Sequence, residues 1–288
     1  MLNYNSPIEI RRVLEQLGVR LQKRWGQNFL VNRGAREAIV SLVDPEAGDN
    51  VWEIGPGLGT LTALLLPKVR SVAAFEIDRG LVTYLRENFG NRNNFALVTG
   101  DVLKTWRSYL REHGTPNKIV GNLPYSSASA LIAALAENRV LADKLVFTVQ
   151  RELAQRLGAQ PGIKNYSSFS VLCQTVYRIS EHMQLKPGSF FPAPEVHSTV
   201  VVLEPKREVE DVPEWSFFLV CLRMLFQSRR KTMRNNLLAG GIASRDRADR
   251  LNEIFKKLGI DPGLRSERLS PEALMQLSQH LAAELQDL

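Results

Sequence analysis

The chain has 288 residues, enough for one large domain or for a large and a small one. A hydrophobic content of 44% and a charged content of 23% fit a water-soluble globular protein, and no apolar run approaches a membrane span. The net charge of +7 favours a polyanionic partner, while two cysteines and four scattered histidines exclude a disulfide framework and any ligand spacing for a metal.

Residues 1–12 lack the basic-then-apolar order of a signal peptide, so a cytoplasmic, metal-free protein is expected. The spacing of Ile10, Val13, Leu14 and Leu17 predicts a short helix closed by Gly18. This basic segment carries Arg11, Arg12, Arg20, Lys23 and Arg24. Residues 24–30, Arg-Trp-Gly-Gln-Asn-Phe-Leu, have no period and read as a loop. A helix over 35–43 ends at Asp44-Pro45.

The stretch 51–60, Val-Trp-Glu-Ile-Gly-Pro-Gly-Leu-Gly-Thr, organises the rest. An apolar strand with an acid, Glu53, runs into Gly55, Gly57 and Gly59, and a helical run over 61–66 follows. Glycines let the backbone turn sharply and approach a ligand, and the helix start aims free N–H groups at the same place. This is a nucleotide-type loop. The dinucleotide fingerprint G-x-G-x-x-G needs a glycine at 60, where Thr60 stands, and this disfavours a nicotinamide-dependent oxidoreductase.

Residues 71–78 form a second predicted strand ending in acids, with Glu76 lying 23 residues beyond Glu53. An acid about 20 residues past such a loop accepts from ribose hydroxyls. A helix over 81–89 follows, then strands over 95–101 and 118–125, a helix over 126–137 and a strand over 145–150. Strands alternating with helices predict a parallel sheet, and Glu53, Glu76, Asp101 and Asn122 all fall at strand carboxyl ends, where ligands bind. Helices are expected over 151–157 and 166–176, and an antiparallel edge hairpin from 177–184 and 198–203. Cys173 and Cys221 sit in apolar surroundings and read as buried thiols. Residues 204–213 are charged and aperiodic and read as a linker; helices are expected over 215–238, 245–258 and 271–285. The predicted class is α/β: a Rossmann-like sheet domain over 1–208 and a small all-α domain over 209–288.

Asn122-Leu123-Pro124-Tyr125 follows the fourth strand. An adenine amine is a poor nucleophile because its lone pair is delocalised into the ring. A side-chain carbonyl and a main-chain carbonyl accepting its hydrogens favour a more tetrahedral nitrogen and free the lone pair for in-line attack. Positioning and electrostatics do most of this work. Tyr125 offers a face on which an unstacked base can lie.

The spacing E-x-G-x-G-x-G resembles the first motif of class I S-adenosylmethionine-dependent methyltransferases, and Asn-Leu-Pro-Tyr resembles their amine-methylating motif. With residues 26–30, 190–198 (Phe-Phe-Pro-Ala-Pro-Glu-Val-His-Ser) and 227–235 (Gln-Ser-Arg-Arg-Lys-Thr-Met-Arg-Asn), the chain resembles the ribosomal RNA adenine dimethyltransferases, in their bacterial small-subunit (KsgA-type) branch, over nearly its whole length. That resemblance implies roles. Asn28 and Leu30 close over S-adenosyl-L-methionine, and Gly55 lies against its methionine part, with Glu53 and Gly57 in the same loop. Glu76 holds the ribose hydroxyls, and Asp101 reads the cofactor's adenine amine. Asn122 and the backbone near Leu123 and Pro124 hold the target amine, and Tyr125 and Phe190 sandwich the target base. It implies dimethylation of two adjacent adenosines near the 3′ end of small-subunit (16S) rRNA, within an immature 30S ribosomal particle, by a monomeric cytoplasmic enzyme with a role in subunit biogenesis. A ribosome-assembly factor whose binding matters more than its catalysis is a second reading. Glu195 and His197 depart from the Lys and Asp common in the family.

Residues 223–234 contain five basic residues and no acid. On one helix, Arg223, Arg230, Lys231 and Arg234 share a face for RNA phosphates. Leu222, Leu225, Phe226 and Met233 cluster on another, and Arg229, on the apolar side, is expected to be partly buried and paired.

Overall fold

The computed structural model describes residues 2–19, 28–242 and 248–285. Arg20, Lys23, Arg24 and residues 25–27 of the expected loop lie outside the described residues. The chain forms two compact units. The first is Met1–Leu135 with Val140–Ala154 and Arg178–Pro205; the second is Ala136–Arg139 with Gln155–Tyr177 and Lys206–Leu288. The second unit thus takes in two stretches that a single cut at 208 would leave in the first.

In chain order the elements are α1 (Pro7–Gln16), β1 (Phe29–Leu30), α2 (Arg33–Val43), β2 (Asn50–Ile54), α3 (Thr62–Leu65), β3 (Ser71–Glu76), α4 (Arg79–Phe89), β4 (Phe95–Thr99) and α5 (Val102–His113). There follow β5 (Lys118–Asn122), α6 (Ala128–Glu137), β6 (Lys144–Gln150), α7 (Arg151–Leu157), α8 (Ser168–Val176), β7 (Tyr177–Leu185), β8 (Phe190–Phe191) and β9 (Ser198–Pro205). The last helices are α9 (Trp215–Leu225), α10 (Met233–Gly240), α11 (Ala248–Lys257) and α12 (Pro271–Leu285). No helix among the described residues is long and apolar enough to cross a membrane.

The first unit holds a seven-stranded sheet of order β4-β3-β2-β5-β6-β9-β7. The strands β4, β3, β2, β5 and β6 run parallel, and β9 is antiparallel to β6. This is the Rossmann-like arrangement. The central strands are mainly apolar because both faces are covered: residues 145–149 of β6 are all buried. Chain order reverses at β2, which has β3 on one side and β5 on the other, so a crevice opens at the carboxyl ends there. Two strand-end acids also start helices: Asp78 accepts from Gly80 N and Leu81 N ahead of α4, and Asp101 accepts from Leu103 N ahead of α5.

Several expectations need correction. The run after the glycine loop makes only one helical turn, α3. β7 and β9 are neighbours at the sheet edge, as expected, but the connection between them is not a plain loop, since its β8 pairs with β1: Phe29 faces Phe191 and Leu30 faces Phe190. The expected linker is tied down. Lys206 N donates to Val176 O at 2.8 Å, Val209 is buried, and Arg139 Nη1 donates to Val209 O and Glu210 O. The expected helix over 215–238 is two helices. Asn236 Nδ2 and Ser266 Oγ both donate to Leu225 O, which ends α9. Thr232 then caps α10 by accepting from Asn235 N.

Candidate active site

A cavity of about 570 Å³ lies over the carboxyl ends of β2, β3 and β5. The turn that forms its floor needs glycine. Gly55, Gly57 and Gly59 all have positive φ, and a Cβ on Gly59 would stand 2.4 Å from the Phe89 ring. Gly121 also has no room for a Cβ, which would meet Ile54 O at 2.7 Å where β5 closes on β2.

Two buried carboxylates face this space. Glu53 is 1% exposed and accepts from Thr62 Oγ1 at 2.5 Å. Burial pushes its pKa up to about 7, with the Glu76 charge adding and the Thr62 bonds opposing. Glu76 is 5% exposed; Oε1 accepts from Ile77 N and Asp78 N, and Oε2 from Gly57 N at 3.3 Å. Burial takes its pKa to about 7 as well, against the pull of those three N–H groups. The chain thus builds a polar, anion-capable wall next to apolar Ile77, Val102 and Leu103.

On the opposite side, Asn122 ends β5 and its Nδ2 donates to Asn28 O at 2.6 Å. Pro124 O accepts from Ser127 N and Ala128 N at the start of α6. Tyr125 is half-buried, and its hydroxyl shares a 2.9 Å hydrogen bond with Ser198 Oγ. Burial pushes that hydroxyl's pKa up, and the Ser198 bond opposes this.

The structure brings most of the predicted residues together. Asn28, Leu30, Glu53, Gly55, Gly57, Glu76, Asp101, Asn122, Leu123 and Pro124 all line the one cavity. Tyr125 and Phe190 do not. Phe190 is 4% exposed and belongs to the apolar core with Leu30, Ile39 and Val200. Sequence reasoning missed Thr62, Ile77, Leu103, Ser126 and Ser127. Thr62 carried a signal, since it stands on the first turn after the loop, nine residues beyond the acid it binds.

The predicted basic residues do not share one helix. Arg223 lies on α9 and pairs with Glu137 at 3.4 Å; Arg234 lies on α10 and donates to Asn252 Oδ1 at 2.8 Å. Arg230 and Lys231 are exposed in the turn between the helices. Arg229 is paired, to Lys164 O at 2.8 Å and Tyr166 O at 2.9 Å, yet exposed rather than buried. Leu222, Leu225 and Met233 are buried as expected, and Phe226 only partly so. Both cysteines are buried, and no group of acids, histidines or cysteines among the described residues could hold a metal.

The chain is similar to known proteins over nearly its whole length. The model of the ribosomal RNA adenine dimethylase family matches residues 18–282. The ribosomal RNA small subunit methyltransferase A of Treponema denticola is 41% identical over 278 residues, 96% of this chain and 94% of the relative. That of Borreliella burgdorferi is 38% identical over 282 residues, 98% of this chain and 96% of the relative. Among solved structures, a dimethyladenosine transferase from Plasmodium falciparum shares the fold, with a TM-score of 0.76 at 24% identity, covering 88% of this chain and 96% of that one. The 23S rRNA methyltransferase ErmE shares it with a TM-score of 0.64 at 22% identity, covering 88% of this chain and 99% of that one. By sequence over nearly its full length, the chain belongs to the ribosomal RNA adenine dimethylase family.

Proposed function

We propose that this methyltransferase uses S-adenosyl-L-methionine to dimethylate the exocyclic amines of two adjacent adenosines near the 3′ end of small-subunit rRNA. The supporting observation is that Asn122-Leu123-Pro124 and the buried acids Glu53 and Glu76 line one cavity beside the glycine turn. The cavity fits the cofactor chemically. Glu76 has an oxygen, Oε2, with only a long bond from Gly57 N, well suited to accept from a ribose hydroxyl. Ile77, which is 37% exposed, and Leu103 offer apolar cover for an adenine ring, and Asp101 stands beside them to accept from its amine. Gly55 lets a chain pass close to the turn, and Asn28 and Leu30 form the wall across from it.

When bound, the cofactor supplies an electrophilic methyl carbon on a sulfonium. Asn122, its Nδ2 engaged with Asn28 O, presents Oδ1 to one hydrogen of the target amine. Pro124 O is engaged at the start of α6, so the main-chain acceptor for the second hydrogen is assigned to Leu123 O. Holding both hydrogens directs the nitrogen lone pair at the methyl carbon. With the cofactor held by Glu76, Asp101 and the glycine turn, the transfer would form the C–N bond at the expense of the C–S bond, leaving the electron pair on sulfur and releasing the amine proton to solvent. Tyr125 stacks the base through the half-buried ring whose hydroxyl is anchored on Ser198. Phe190 supports Leu30 from within the core rather than stacking. The RNA contacts fall to Arg230 and Lys231, with Arg223 and Arg234 beside them, on a partner that is the rRNA of an immature small subunit. The enzyme acts as a cytoplasmic monomer. Mass mapping of small-subunit rRNA after incubation with the enzyme and labelled cofactor tests the reading; two adjacent dimethyladenosines are expected, and unmodified adenosines would overturn it.

A further inference from the structure

We propose that Arg36 is a positioning residue for cofactor binding, pinning the N-terminal segment 2–19 and strand β1 together into one wall of the cavity. The inference rests on the cofactor reading above. Arg36 projects from α2 and is 5% exposed. Nη1 donates to the main-chain oxygens of Leu30 at 3.0 Å, Tyr4 at 3.1 Å and Val31 at 3.2 Å; Nη2 donates to Asn5 Oδ1 at 2.7 Å. Buried arginines are ordinarily matched to a carboxylate. The oxygens this one meets among the described residues carry no formal charge, and three of them are main-chain. A guanidinium bound in that way holds backbone in place rather than a partner's charge.

One of the two pieces of backbone it holds lines the cavity, and the other packs behind the lining residues. Leu30 lines it directly, next to Asn28 and Phe29. The segment 2–19 reaches it from behind: Ile10 and Leu14 of α1 bury against Phe29, Leu58, Leu81 and Tyr84. Phe29 and Leu81 are cavity walls, and a Cβ added to Gly57 would lie 3.0 Å from Phe29 Cε1, so the same ring braces the glycine turn. Tyr4 completes the tie with a side-chain hydrogen bond to Tyr84 on α4, the helix that follows Glu76. One guanidinium therefore joins the back of the glycine turn to the strand facing it. A wall fixed before the ligand arrives does not have to be ordered by it, and losing that preorganisation appears as weaker binding.

The test is calorimetric binding of S-adenosylmethionine to the wild type, R36M, R36K, N5A and the control R33M, with single-turnover methylation of small-subunit rRNA alongside. Arg33 sits on the same helix, 73% exposed and paired with Glu37 at the surface. R33M should bind like the wild type. R36M should raise the Kd about tenfold or more, and N5A about two- to fivefold, with R36K between wild type and R36M. The KM for cofactor should rise in step while the rate at saturating cofactor stays within about twofold, a split that general loss of stability does not produce. Wild-type affinity in a folded R36M overturns the proposal, as does a fall in saturated rate at constant KM. If R36M does not fold, N5A decides: its side chain is exposed and its folding is not at stake, and wild-type affinity there overturns the proposal too. Failure of the wild type to bind the cofactor would overturn the functional reading itself and this inference with it, a result distinct from a binding wild type with unchanged variants.

Discussion

Asn122 Nδ2 donates to the main-chain oxygen of Asn28 across 2.6 Å, joining residues 94 apart in the chain. The bond sets which way the amide points. Its donor end is spent on the protein, and its acceptor end is left for the substrate. Asn122→Ala should therefore lower single-turnover methyl transfer by about a hundredfold while changing cofactor affinity by less than about tenfold. Asn122→Asp should be no better, because it sets a carboxylate oxygen against Asn28 O. Wild-type turnover by either variant would remove Asn122 from the reaction.

Glu76→Ala should weaken cofactor binding by about 1.5–3 kcal/mol, the range for hydrogen bonds to a charged group. Affinity for rRNA should hardly change. Calorimetry with the cofactor alone gives the answer, and an unchanged Kd refutes the ribose assignment.

The two buried acids make stability depend on pH in an unusual direction. Their native pKa values, each about 7, lie above the ordinary 4.5, so the native state binds more protons than the unfolded state between those limits. Their contribution is full below about pH 4.5 and is lost as pH rises through 7. Glu53→Gln keeps an acceptor for Thr62 Oγ1 but removes the titration. The cofactor-free variant should melt higher than the wild type at pH 8, by a margin that shrinks toward pH 5. A constant difference across that range in differential scanning fluorimetry would show that Glu53 is not a protonation site.

The glycine turn supplies a graded pair. Both Gly55 and Gly59 have positive φ, but a Cβ on Gly55 comes no closer than 3.9 Å to Asn122 O, whereas one on Gly59 meets Phe89 at 2.4 Å. Gly55→Ala should cost about 1–2 kcal/mol from backbone strain. Gly59→Ala should add about 1–3 kcal/mol of overpacking. Urea unfolding that ranked them equally would mean that Phe89 yields without cost.

Arg230 and Lys231 stand exposed, while Arg223 and Arg234 already have protein partners. Neutralising either of the first two should flatten the salt dependence of small-subunit binding by about one unit of slope or slightly less. Arg223→Ala and Arg234→Ala should do less. If Arg230→Ala and Lys231→Ala both keep the wild-type slope, the turn between α9 and α10 does not touch RNA.

The parallel sheet was readable because it is written in local signals: buried apolar strands, glycines where the backbone must turn, and a polar residue at each carboxyl end. Those signals located Glu53, Glu76, Asp101 and Asn122, and all four line the cavity. What escaped depends on distant pairing. The strands β1 and β8 have two residues each, too few to show a period, and they exist only because Phe29 meets Phe191 across the chain. The same pairing seats Phe190, which the resemblance casts as a stacking aromatic, among the buried apolar residues. The break after Leu225 was hidden for a similar reason. The helical spacing of Leu222, Leu225, Phe226 and Met233 continues through it, and the side chains that claim Leu225 O, Asn236 and Ser266, lie 11 and 41 residues away.

The second unit gathers Ala136–Arg139, Gln155–Tyr177 and Lys206–Leu288, so the chain passes between the two units five times. Its pieces are bonded across those gaps: Trp215 Nε1 donates to Glu137 O, and Tyr166 OH to Leu269 O. No single break in the gene could release this unit intact. It cannot be inherited, swapped or lost as a cassette, and on the ribosome it cannot finish folding until its last helix has been translated, long after the first strands of the sheet have emerged.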